Sequence, residues 1–197
     1  MSILVIVESP AKCKKIEQYL GSPYKCIASY GHFRNCKSLK NIDYNSNFDI
    51  SFEVMDEKKG QVEKMKSAIS KSNEVIIATD DDREGEAIGW HILDYFKLPI
   101  TTKRIIFHEI TKSALQKSVQ NPITINMNKV YSQKARQALD LMVGYTISPL
   151  LWKYVSSTQG LSAGRCQTPA LKIVYENHIE NKKREMKASY KVIGYFM

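Results

Sequence analysis

Thr79-Asp80-Asp81-Asp82-Arg83-Glu84-Gly85-Glu86 is the stretch that decides how this chain is read. It follows Val75-Ile76-Ile77-Ala78 and precedes an amphipathic run from Ala87 to Phe96. A short β-branched run reads as a buried strand, and the apolar spacing after it reads as a helix. The acidic stretch therefore lies where a strand gives way to a helix, the edge at which open α/β sheets place their ligands. Five carboxylates fall between Asp80 and Glu86, and one Arg83 cannot balance them. A hard divalent cation is the economical counter-charge, because carboxylate oxygens suit Mg2+. A solvated acidic loop is the alternative, and the position after a buried strand disfavours it.

Working outward, Ile3-Leu4-Val5-Ile6-Val7 reads as a second buried parallel strand, ended by Glu8-Ser9-Pro10. Ser9 suits a helix N-cap, Pro10 the first helical position and Gly21 the stop. Glu8 and Lys12 thus fall at a strand's carboxyl end and in the first turn of the next helix. Tyr24 to Ser29 reads as a strand leading into the turn Tyr30-Gly31-His32-Phe33-Arg34. The polar residues 35–51 read as a loop or short insertion, followed by a strand over Ser51–Met55 and a helix over Lys59–Ser70. Ile105-Ile106-Phe107 closes the alternating part. Strands alternating with helices predict a parallel α/β sheet with flanking helices over residues 1–111.

From Thr111 the texture turns helical. The spacing predicts helices over Lys112–Val119, Lys129–Val143 (apolar side Val130, Ala135, Ala138, Leu139, Met142), Ile147–Val155 and Ala163–Ile179. Gly144-Tyr145 reads as an interruption, and Pro169 as a kink or the true start of its helix. A charged linker over Asn181–Lys187 precedes Tyr190 to Phe196, which alternates like the first strand of another sheet. The domain expectation is 1–111 for the α/β part, 112–185 for a helical part and 186–197 for the start of a truncated β domain.

Of the 197 residues, 43% are hydrophobic and 25% charged, an ordinary globular balance. The net charge is +9 and uneven: residues 1–111 carry 16 basic and 16 acidic side chains, residues 112–197 carry 13 and 4. A neutral half with an acidic cluster and a basic half suggest chemistry on one and polyanion binding on the other. Cys13, Cys26, Cys36 and Cys166 lack the spacing of a zinc site or a disulfide framework. The opening apolar run is too short for a signal peptide or membrane span, which predicts an intracellular, soluble protein with no membrane association.

The motifs resemble the N-terminal part of a type IA DNA topoisomerase. The resemblance rests on Ile3 to Lys12, Ala78 to Ala87 (the Toprim acidic signature), Phe107-His108-Glu109-Ile110-Thr111 and Arg136-Gln137-Ala138-Leu139-Asp140. It continues in order through Val143-Gly144-Tyr145, Ser148-Pro149-Leu150-Leu151-Trp152 and Leu161 to Pro169. Tyr30 to Arg34 and Glu57-Lys58-Lys59 favour the bacterial topoisomerase I-like branch.

The resemblance implies an ATP-independent, Mg2+-dependent cleavage and religation of one DNA strand, relaxing negative supercoils. The family's nucleophilic tyrosine lies in a later domain, and none of the eleven tyrosines here sits in that motif. The expectation is therefore a fragment, inactive alone, that holds the metal and acid–base machinery and part of the DNA groove. Catalytic roles fall to Glu8, Lys12, Asp80, Asp82, Glu84 and Arg165, with Glu8 the proton donor to the leaving 3′-oxygen. Mg2+ would be held by Glu8, Asp80, Asp82 and Glu84, with Asp81 and Glu86 outside that set or solvated. Single-stranded DNA of an underwound duplex would meet His32, Arg136, Gln137, Asp140, Tyr145, Trp152, Ser162, Gly164, Arg165, Gln167 and Thr168. The implied protein is a monomer associated with DNA in the cytoplasm or nucleoid. A Toprim-containing primase or nuclease, or a non-catalytic DNA-binding module, are the alternatives. Bland readings also stand: Arg136 and Asp140 as an i,i+4 ion pair, Tyr145 and Trp152 as core.

Overall fold

The computed structural model describes residues 2–156, 160–183 and 190–195. It divides into two compact units, Met1–Leu141 and Met142–Met197. The first unit is organised by β1 (Ile3–Val7), flanked by β2 (Tyr24–Ala28) and β7 (Glu74–Ala78), with β8 (Lys103–Arg104) beyond. All pairings in this four-stranded sheet are parallel, in the order β2-β1-β7-β8. Val7 stands level with Ala78, so Glu8 and Thr79 leave the sheet side by side.

Both faces of the sheet are covered, which explains why β1 is apolar throughout rather than alternating. Leu4, Ile6 and Ile77 pack with Val62 and Met65 of α2 (Lys59–Ser70) and Ile88, Ile92 and Leu93 of α3 (Arg83–Phe96). Val5, Val7, Ile76 and Ala78 turn the other way, onto Ile16 of α1 (Pro10–Leu20) and Leu115 of α4 (Lys112–Gln120). Each fully buried Val or Ile contributes about 1.5–3 kcal/mol relative to exposure. Pro10 begins α1 and Gly21, at φ +69°, ends it. Ser9 has extended N-cap geometry but no side-chain capping bond.

Between β2 and α2 the polar stretch is more ordered than a loop. It forms two small antiparallel pairs, β3 (Arg34–Asn35) with β6 (Glu53–Val54) and β4 (Ile42–Asp43) with β5 (Asp49–Ile50). The strand expected over Ser51–Met55 shrinks to β6, because only Glu53 and Val54 pair in register with β3. Arg34 fastens this insertion to α3: its guanidinium bonds Asp94 at 2.6 Å and lies between the Phe52 and Tyr95 rings.

Several other boundaries differ from expectation. The last strand of the sheet is Lys103–Arg104, not 105–107. Ile105 N–H still donates to Ile77 at 2.8 Å, and the chain then leaves the ladder. Helix α5 (Met127–Tyr154) is continuous through Gly144-Tyr145, the expected interruption, and carries Pro149 within it. Of its expected apolar side Val130 and Ala138 are buried, while Ala135 and Leu139 face solvent. Helix α6 (Gln167–Lys183) begins after Gly164 and Arg165, with Pro169 in its first turn, where a missing N–H costs nothing. The expected linker is therefore helical up to Lys183, and its remainder lies outside the described residues. Tyr190–Tyr195 form no strand, since no neighbouring segment pairs with them among the described residues; Phe196 is outside that range. No described helix is long and apolar enough to cross a membrane.

Candidate active site

The acidic loop is shaped by close backbone packing. Asp82 is the N-cap of α3, its Oδ1 accepting from Gly85 N–H at 2.7 Å. Gly85 rests on the backbone of Asp80: a Cβ there would stand 2.2 Å from the Asp80 carbonyl oxygen. The residue must be glycine for the loop to fold back against the helix. Glu84 and Glu86 lie in the first turn of α3, where the helix dipole favours negative charge.

At the loop's outer side Glu8, Asp80 and Asp82 share one edge. Partial burial raises the Glu8 pKa above its ordinary value, and the charges of Asp80 and Asp82 raise it further; Lys12 and His32 act against them. Lys12 Nζ bonds Asp80 Oδ1. The Tyr30-Gly31 turn, with both residues at positive φ, brings Gly31 N–H to the Glu8 carbonyl at 3.3 Å. That turn also delivers His32, whose Nε2 lies 2.7 Å from Glu84 Oε2. The other Glu84 oxygen accepts from Gln133 Nε2 of α5 at 2.5 Å.

Beneath this edge lies a different arrangement. Glu86, expected outside the ligand set or solvated, is fully buried. Its Oε2 lies 2.9 Å from Arg104 Nη1, a close ion pair rather than an aligned hydrogen bond, and its Oε1 accepts from Asn126 N–H. Arg104 Nη2 donates to the Asp80 carbonyl at 2.9 Å, so the buried pair also fixes the start of the loop. Asp81 is exposed and bonds Lys129 at 3.0 Å, which lowers its pKa. Arg83 is exposed.

Beside Glu84 opens a groove of about 490 Å3 lined by His32, Arg34, Gln133, Arg136, Gln137 and Asp140, among others. Arg136 Nε lies 3.7 Å from Asp140 Oδ2. The sequence-derived residues Glu8, Lys12, His32, Asp80, Asp82, Glu84, Arg136, Gln137 and Asp140 thus all fall in the first unit, on the acidic edge or its adjoining groove. Among the described residues no three metal-ligating side chains converge closely enough to hold an ion.

The second unit holds the remaining predicted residues. Trp152 Nε1 donates to the Leu161 carbonyl at 2.6 Å, and Ser148 Oγ accepts from Ala163 N–H at 3.1 Å. Ser162 bonds Gln167 Oε1 at 3.0 Å, and Thr168 Oγ1 accepts from Gly164 N–H at 3.4 Å. Tyr145, Trp152 and Arg165 are exposed, so the aromatics are not core here.

Sequence reasoning passed over Gln133, Arg104 and Lys129. Gln133 had a visible signal: it stands three and seven residues before Arg136 and Asp140, on one helical face. Arg104, at the head of an apolar run, offered a weaker one.

The fold and its acidic edge define a Toprim domain, and a family model of that description matches residues 3–110. A second model, DNA topoisomerase, matches residues 124–196. The chain belongs to the type IA DNA topoisomerase family, as an N-terminal region with its Toprim domain. Full-length topoisomerase I from Thermotoga maritima, solved in a monoclinic crystal form, is similar at 42% identity with a TM-score of 0.80. The match covers 92% of this chain and 31% of that one, so the chain spans about a third of that relative's length.

Proposed function

We propose that this chain supplies the acid–base, metal-holding and strand-holding parts of an ATP-independent topoisomerase that relaxes negative supercoils through a transient single-strand break. The observation that carries this reading is Glu8: a carboxyl with a raised pKa, beside Asp80 and Asp82, at the adjoining ends of two parallel strands. A protonated carboxyl is what a leaving oxygen needs. In the forward step a tyrosine hydroxyl gives up its proton to solvent as its oxygen bonds to phosphorus, the bond from phosphorus to the 3′-oxygen breaks, and Glu8 gives the 3′-oxygen its proton. Religation reverses each movement, with Glu8 as base. The attacking tyrosine is supplied by a part of the enzyme other than these 197 residues. Lys12 moves its positive charge from Asp80 to the scissile phosphate, and the groove along Arg136 and Asp140 holds the strand in line.

The donor set suits a divalent cation. Glu8, Asp80 and Asp82 offer only oxygens, and the repulsion that Asp80 and Asp82 exert on half-buried Glu8 is offset only in part by Lys12 and His32. Mg2+ would be held by these three, with Glu84 beside them. When bound, it would neutralise charge on the phosphate oxygens. In the second unit Arg165, Ser162, Gly164, Gln167 and Thr168 face the strand's backbone, and Tyr145 and Trp152 its bases. The enzyme acts as a monomer on single-stranded segments of underwound DNA.

The test joins these 197 residues to the tyrosine-bearing remainder of a type IA enzyme. Glu8→Gln abolishes cleavage of a single-stranded oligonucleotide there and leaves its affinity within about twofold. Cleavage at the wild-type rate by Glu8→Gln would remove Glu8 from the reaction.

A further inference from the structure

Glu84 is held from two directions. His32 Nε2 lies 2.7 Å from one carboxylate oxygen, and Gln133 Nε2 donates to the other at 2.5 Å. The three residues come from separate elements: the turn after β2, the first turn of α3, and α5. Gln133 is nearly buried, and its Oε1 has no hydrogen-bond partner. Its amide is therefore oriented by Glu84 rather than shared among several groups. On α5, Gln133 precedes Arg136, Gln137 and Asp140 by three, four and seven residues, and all four line the groove with Glu84 and His32. Glu84 in turn lies two residues beyond Asp82 and one before Gly85, the residue packed on the Asp80 backbone. One side chain thus joins the groove face of α5 to the loop that carries Asp80 and Asp82.

We propose that Gln133 is a positioning residue that couples the groove to the acidic loop: a strand lying along Arg136 and Asp140 shifts Gln133 against Glu84 and thereby alters how tightly the loop holds a divalent cation. This rests on the functional reading above, in which the groove takes a DNA strand and the loop a cation. In the free chain both Glu84 oxygens are engaged, one by His32 and one by Gln133. Occupancy of the groove loosens the Gln133 contact, freeing Glu84 to add its oxygens to those of Glu8, Asp80 and Asp82. The coupling is reciprocal, so the cation tightens strand binding by the same factor.

Mn2+ serves as the probe, its binding to the 197-residue chain followed by electron paramagnetic resonance of the free ion. Titrations are run with and without a saturating oligothymidylate. In the wild type the oligonucleotide tightens Mn2+ binding at least fivefold. Gln133→Met and Gln133→Asn each reduce that gain below twofold, with the oligonucleotide raised to saturation for each variant. The asparagine variant keeps the buried amide but lacks the reach to Glu84, so it separates the contact from mere packing. Retention of the full gain by either folded variant overturns the proposal and leaves the functional reading intact. A wild-type chain that binds neither oligonucleotide nor Mn2+ overturns both.

Discussion

Two carboxylates of one eight-residue stretch, Asp80 and Glu86, meet opposite fates. Glu86 is fully buried against Arg104 and Asn126, whereas Asp80 stands exposed with Lys12 as its partner. Both pairs are charge-balanced, yet they do different work. The lower pair cannot exchange partners without leaving a charge in the core. The upper one can, because Lys12 and Asp80 both reach solvent. If the edge takes a cation as proposed, its exchangeable charges lie outside, and the backbone beneath them is fixed by a charge that does not exchange. Arg104 makes this link directly by bonding the Asp80 carbonyl.

The comparison is broken most forcefully from below. Glu86→Ala strands Arg104 as a buried, uncompensated cation, and loss of one partner of such a pair costs about 3–5 kcal/mol. Urea unfolding should show that loss, and Arg104→Met/Glu86→Leu should recover most of it. A loss under about 1 kcal/mol would mean the pair is not the fixed support described here.

A smaller effect comes from His91, buried on α3 against Phe33, Phe52 and Trp90. Burial lowers its pKa from 6.5 to about 3, assisted by Arg34, His32 and Lys134. A group with a depressed folded pKa binds its proton more readily when unfolded. Its stabilising effect is therefore present above about pH 6.5 and lost as pH falls towards 3. Between pH 6.5 and 5 the wild type should lose up to about 1.4 kcal/mol per pH unit more than His91→Gln. Parallel pH profiles for the two proteins would contradict a neutral buried imidazole.

The exchangeable half was the more legible of the two in the sequence. Glu8, Asp80 and Asp82 follow apolar runs, and a strand-to-helix edge is a local pattern. The continuous apolar runs also placed β1 and β7 correctly in a parallel α/β layer, whereas the edge strand, expected over 105–107, falls at Lys103–Arg104. What the sequence hid depends on contacts between distant segments. Arg104 meets Glu86 across 18 positions and Gln133 meets Glu84 across 49, and neither pairing leaves a local trace. Gly144 misled in the other direction, because a breaker residue reports local cost while packing along a long helix can outweigh it. Of the small pairs only β6 was anticipated, inside the strand expected over Ser51–Met55; β3, β4 and β5 escaped notice, since two-residue strands carry no periodicity.

The central claim is that the outer carboxylates bind a divalent cation and the inner one does not. Calorimetric titration of Mg2+ into the wild-type chain and into Asp80→Asn/Asp82→Asn tests it directly. The account predicts at least a tenfold loss of affinity in the double variant, about 1.4 kcal/mol or more, with its unfolding free energy within about 1 kcal/mol of wild type. Unchanged Mg2+ affinity would contradict it.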